Sequence, residues 1–321
     1  MELRDFCSTS RVVIVAGKGG VGRTTVSAAL AVAAARTGLS VLVAEIEGKS
    51  GLAAAFGAPP IGYEEAELGP GVRARALAPD DALVEYLADH GLRRFSRRLV
   101  HSGVLDVVSH AVPGLRDLLL LGKVKALEQA GGADLVVVDA AAAGHALTFL
   151  TSPQGLLDAV GMGPVHRQAA EVVAMLRDPA RCSVVLVTIP EETPVNEVIE
   201  TAYALEDRVG IALGPIVVNM CDLEVVADPS LVAADVAACG LDASPRELAA
   251  LRAATAFRAA RAARQRAQVE RLASRLPLAQ LHLPLVSEEI GPAELGGLAD
   301  ALERGVAALA APGPTTGPRA R

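Results

Sequence analysis

The stretch VVIVAGKGGVGRTTVSAAL, Val12 to Leu30, decides the fold. An apolar run without polar alternation, Val12–Ala16, meets a turn containing Gly17, Gly19, Gly20 and Gly22, and an alanine-rich segment follows from Thr24 to Arg36. The run reads as a strand buried on both faces and the alanine-rich segment as a helix. The spacing from Gly17 to Thr24 is that of a phosphate-binding loop. Backbone N–H groups from Gly19 through Val21 to Thr25 can converge on phosphate oxygens at the helix N-terminus, and the Thr24 hydroxyl can reach Mg²⁺. One letter departs from the pattern: the lysine expected before Thr24 is Arg23. Arginine keeps the charge but is planar, forked and bulkier. Binding of ATP or ADP is expected to survive on the main-chain amides, and hydrolysis to weaken, because it needs sub-ångström placement of charge. A second reading stays open. Only four lysines stand among 30 basic residues, and the alternative is that Arg23 is compositional drift that still works.

Further Val/Ile-rich runs recur at 40–46, 134–140, 183–189, 214–220 and 279–284, separated by helix-like stretches. That pattern predicts an α/β, doubly wound, mostly parallel sheet of the P-loop NTPase type. The alternating VRARALA at 72–78 is expected as an edge strand. Helical insertions are expected at about 80–131 and 244–276, together forming a helical subdomain. The second has Ser244 as N-cap, Pro245 at the first helical position and Glu247 three residues after the cap, and it stops at Pro277. Residues 1–10 are expected to be a flexible N-terminus, 11–311 a single domain, and the tail PGPTTGPRAR at 312–321 disordered.

Composition narrows the function classes. The 321 residues are 51% hydrophobic but only 2% aromatic, with no Trp, so the core must be Ala, Val and Leu. A net charge of −7 argues against nucleic acid as a partner. The four cysteines form no C-x-x-C, so neither zinc nor a disulfide framework is expected. MELRDFCSTSR lacks the apolar region of a secretory signal, and no apolar run reaches the ~18 residues of a membrane span. The expectation is a cytoplasmic protein.

Two acidic positions fit nucleotide chemistry. Asp139 closes the apolar strand LVVVD, an arrangement in which the carboxylate holds Mg²⁺ through water. Glu47, just past the second strand, can orient an attacking water, with Glu45 the poorer candidate. Gly144 lies where its N–H could sense a γ-phosphate, and His145 is equally read as structural or as part of a switch. The arginines 93, 94, 97 and 98 share a helix face that is read as solvated, with an anionic partner as the alternative. DLLLLGKV at 117–124 is read as buried in the helical block.

The chain resembles the arsenite-pump (ArsA) and tail-anchored-protein-targeting ATPase family. The residues that carry the resemblance are GKGGVGRTT (17–25), EIEGKSGLAAAFG (45–57) at the first switch, PGLRD (113–117), DAAAAGH (139–145) at the second switch, VVN (217–219) and LPLVSEEI (283–290). GPVHRQAAEVV at 163–173 resembles a bacterial anion-transporting branch. The resemblance implies that Lys18, directly after the first glycine, reaches across a dimer to the partner's nucleotide. It also implies that Asn219 reads the adenine and that Pro284 and Leu285 cover it. It further implies a nucleotide-driven homodimer, or a heterodimer with a paralogous ATPase. Three departures stand out: Arg23, alanines at 141 and 142 where the family has prolines, and Glu47 where eukaryotic members have aspartate. Arg23 together with the missing prolines raises the alternative of a degenerate subunit completed by an active paralogue. A partition or division-site ATPase acting on membrane or DNA is the competing class.

Overall fold

A computed structural model describes residues 2–46, 51–89, 113–140, 146–223 and 228–309. In chain order the helices are α1 Leu3–Cys7, α2 Arg23–Arg36, α3 Gly51–Ala55, α4 Pro79–Asp89, α5 Leu115–Ala130, α6 Ala146–Ala159, α7 Pro164–Arg177, α8 Glu192–Val209, α9 Val232–Ala238, α10 Pro245–Arg275 and α11 Pro292–Leu309. The strands are β1 Val12–Gly17, β2 Val41–Ile46, β3 Ala66–Gly69, β4 Val72–Leu77, β5 Leu135–Asp139, β6 Cys182–Thr188, β7 Ala212–Leu213, β8 Ile216–Cys221 and β9 Gln280–Pro284. They form one sheet in the order β3-β4-β2-β5-β1-β6-β8-β9, with β7 beside β6. Every pairing is parallel except β3 with β4.

The sheet is apolar on both faces, which is why its strands show no polar alternation. Val12, Ile14 and Ala16 of β1 face the layer that holds α5 to α8. Val13 and Val15 face the layer that holds α1, α2, α3 and α11. Alanine dominates α2, whose Ala28, Ala29, Ala31, Ala33 and Ala34 are all buried, so that helix lies close against the sheet and α11. Leu118 to Leu121 of α5 are buried too, as their sequence suggested. Helix α10 carries the expected capping box, with the Ser244 side chain accepting from Glu247 N–H and Glu247 returning to Ser244 N–H. Of its residues Ala262, Gln265 and Leu272 are buried, while Phe257 toward its N-terminal half is 67% exposed.

Two local expectations are corrected. The 72–78 segment is not at the edge: β3 pairs antiparallel outside it, and Gly71 at φ +75° makes the return turn. The alternating arginines split accordingly. Arg75 is buried with its guanidinium 4.4 Å above the Tyr63 ring, and Arg73 pairs with Glu65 at the surface. Near the N-terminus, residues 3–7 form α1 rather than a flexible lead, because Leu3 and Cys7 are buried in the layer that holds α2 and α11. The arginine cluster at 93–98 and the 312–321 tail lie outside the described residues.

Strand β1 sits mid-sheet. The chain builds outward from it first through β2 and later, on the other side, through β6. Such a reversal opens a crevice at the carboxyl ends of the strands, where ligands bind in open α/β sheets.

Candidate functional site

The loop between β1 and α2 fills that crevice. Gly20 (φ +81°) and Gly22 (φ +83°) are left-handed, a conformation that turns successive amides to one side and that side chains resist. Gly22 also has no room for a side chain, since a Cβ would collide with the Asn219 amide. Gly17 is required for a different reason. It lies flush against β6, and a Cβ would collide with the Val187 carbonyl oxygen, which is main chain and cannot move aside. Gly17→Ala should therefore destabilise the protein by about 2 kcal/mol or more, seen as a lower thermal midpoint. An unchanged midpoint would refute that close packing.

Helix α2 begins at Arg23 with its free N–H groups facing the loop. Thr24 and Ser27 stand three residues apart on the helix face toward β5, and both reach Asp139. Thr24 Oγ1 donates to Oδ2 at 2.7 Å and Ser27 Oγ to Oδ1 at 3.2 Å. Burial pushes the Asp139 carboxyl above its ordinary value, against the two hydroxyls and the Arg23 charge, which favour the carboxylate. A hydroxyl and a carboxylate side by side are hard oxygen donors that fit Mg²⁺. Among the described residues no three His, Cys, Asp or Glu side chains cluster as a metal site.

Arg23 does not extend from the loop as a free cation. Its Nη1 donates to the Ala140 carbonyl at 2.7 Å, bridging the start of α2 to the end of β5. Burial lowers its pKa, with Asp139 opposing. Lys18 also has a partner, Glu197 Oε1 of α8 at 3.2 Å, and both side chains are partly exposed. Below that pair a cleft of about 350 Å³ opens between the loop, the start of α6 and α8, lined in part by Gly17, Leu147, Thr201 and Arg208.

The structure thus gathers Gly17 to Thr25, Asp139 and Asn219 at one place. Asn219 Nδ2 donates to the Val21 carbonyl of the loop at 3.0 Å. Pro284 and Leu285 join the strand end that carries Asn219: Pro284 pairs with Cys221, and Leu285 N–H donates to the Cys221 carbonyl at 2.9 Å. Glu47, Gly144 and His145 lie outside the described residues. Glu45 is buried in β2, in register beside Asp139. Sequence reasoning missed Ser27, whose spacing of three from Thr24 was the available signal. It also missed Glu197 and the Ala140 carbonyl, for which no local signal exists.

A glycine-rich strand–loop–helix over a Thr–Asp pair, at the switch point of a parallel sheet, defines a P-loop nucleotide-binding protein. Residues 10–165 match the anion-transporting ATPase (ArsA) family model. The chain is 32% identical over 316 residues to ATPase BagA of Mycobacterium tuberculosis, spanning 91% of this chain and 92% of that protein. It is 30% identical over 228 residues to a candidate arsenical pump-driving ATPase of Halobacterium salinarum, covering 65% of this chain and 35% of that one. It is 32% identical over 144 residues to ATPase get3 of Schizosaccharomyces japonicus, covering 44% and 43%. The chain belongs to the ArsA-type anion-transporting ATPase family. No helix among the described residues is long and apolar enough to cross a membrane.

Proposed function

We propose that this chain is an ATP-binding switch subunit that acts as a dimer and in which Arg23 weakens hydrolysis. The observation that carries the reading is the Thr24–Asp139 pair beneath the glycine loop, with the Arg23 guanidinium committed to the Ala140 carbonyl. Family membership supports use of a nucleotide and Mg²⁺. In this reading the amides from Gly19 to Thr25 hold the triphosphate tail, and Thr24 and Asp139 hold the metal, Asp139 through water. Bound Mg²⁺ supplies charge neutralisation on the phosphates. Glu47 orients water, Gly144 senses the terminal phosphate, and Pro284 with Leu285 covers the base. Lys18 must leave Glu197 to act across a dimer, so dimer closure competes with an ion pair seen in the single subunit.

The commitment of Arg23 also favours a second reading, a nucleotide-binding subunit whose partner is an active paralogue. Calorimetry with Mg·ATP and steady-state turnover test both, for the chain alone and mixed with a paralogous ATPase. Binding with weak turnover alone is the expected result, and a strong rise on mixing selects the heterodimer. Turnover alone at ordinary P-loop ATPase rates would refute the weakening, and no binding either by the chain alone or on mixing would refute the reading as a whole.

A further inference from the structure

We infer that Asn219 is a positioning residue for the phosphate loop, and that α10 sets its placement through Asp222 and Leu223; the inference rests on the nucleotide-binding reading above. Four observations carry it. First, Asn219 is 3% exposed and its amide is engaged on the Val21 carbonyl, which accepts only, so the NH₂ group must face it. That carbonyl belongs to the residue before Gly22, the left-handed glycine that ends the loop, and Gly22 itself lies flush against the same amide. The asparagine therefore holds the loop from behind at the point where its amides turn toward a phosphate.

Second, β8 is irregular there. Its register against β9 shifts between Val218 and Cys221, so two residues stand where one would in a regular ladder. Such bulges re-aim side chains beside functional sites. Met220, next to Asn219, has φ +57°, the one non-glycine residue in the left-handed region among the described residues. A long unbranched side chain in that conformation is strained, and it persists only where the surroundings hold it.

Third, the surroundings that hold it come from α10. Gln265, 4% exposed, accepts from Asp222 N–H at 2.7 Å. Arg258 donates to both Asp222 oxygens at 3.2 and 3.0 Å. Arg266 donates to the Leu223 carbonyl at 2.8 Å. Three side chains of one helix thus fasten two residues just past the bulge, Asp222 and Leu223. Fourth, the buried residues of that helix are Ala262, Gln265 and Leu272, so one of the side chains that makes this fastening is itself fixed in place. Any displacement of α10 is transmitted to the bulge, to Asn219, and so to the phosphate loop.

The inference separates two roles for Asn219 by what they discriminate. A residue that reads adenine changes the preference for ATP over GTP. A residue that shapes the phosphate loop weakens every ligand that carries a polyphosphate. Calorimetry in excess Mg²⁺ with ATP, GTP and inorganic tripolyphosphate, on wild type, Asn219→Asp, Asn219→Ala and Gln265→Met, distinguishes them. Asn219→Asp keeps the shape but sets an anion against the Val21 carbonyl, which leaves a buried acceptor without a donor. It should lose affinity for all three ligands by the same factor, about tenfold or more, with the ATP-to-GTP ratio held within about twofold. Asn219→Ala should follow the same pattern. Gln265→Met, which does not touch the loop, should weaken all three about threefold, at an unchanged ratio. Unchanged tripolyphosphate affinity with altered base preference in the Asn219 variants would overturn the inference. Unchanged affinities in Gln265→Met would overturn the part assigned to α10. Wild-type protein that binds none of the three would sink the nucleotide reading itself, a different and recognisable result.

Discussion

Asp139→Asn should abolish the Mg²⁺ dependence of nucleotide binding and lower turnover by about two to three orders of magnitude, while leaving the ligand-free fold intact or more stable. The functional half follows from the geometry. The Asp139 carboxylate lies against Thr24 Oγ1 at 2.7 Å, and an amide of the same shape carries no charge for the metal's water shell. The stability half follows from burial, which holds the carboxyl above its ordinary value of 3.8 in the folded protein. A raised carboxyl contributes stability below that ordinary value and loses it as pH rises through the folded-state value. At pH 7 the buried charge is therefore a cost that asparagine removes. Thermal unfolding in excess chelator at pH 7 checks it: the variant should melt at or above the wild-type midpoint. A drop of several degrees would show that the Thr24 and Ser27 hydroxyls more than offset the burial.

Arg23→Lys should raise ATP turnover by about ten- to a hundredfold. In the wild type the guanidinium donates to the Ala140 carbonyl at 2.7 Å, and its fork suits that fixed acceptor. A lysine is a compact charge on a flexible stem, free to follow the phosphates as charge develops on them, and misplacement by even an ångström is worth about a hundredfold in rate. Loss of the bridge between α2 and β5 should cost little, because neither element depends on it: Val26 to Ala29 of α2 and all of β5 are buried. The measurement is steady-state turnover beside the calorimetric affinity. Equal turnover in both proteins would mean that arginine is already competent and that the slow step lies elsewhere. Raised affinity without raised turnover would assign the arginine to binding alone.

Some of this architecture was legible from letters because it is local. The β1 strand, the glycine turn and the α2 helix are consecutive residues whose periodicity and spacing are their own evidence. Asp139 could be placed because an acid that ends a run of buried valines has few other meanings, and the capping box of α10 lies within four residues. β3 was missed because AELG is short, charged and at an edge, with no apolar run to mark it. Without it, β4 looked like the boundary.

The site divides along the same line. Sequence alone determined that a phosphate-binding loop follows β1, that the sheet is parallel and buried on both faces, and that arginine replaces the expected lysine. It could do so because helix and strand periods, glycine spacing and burial preference act over a few residues. Only the tertiary structure decided where the polar side chains end. Thr24 meets Asp139 across 115 positions and Asn219 meets Val21 across 198, while Arg23 turns to Ala140, Lys18 to Glu197, and Gln265 of α10 to Asp222 just past β8. Those partners are set by strand order and register, and a buried polar group takes whichever acceptor or donor the fold brings within about 3 Å.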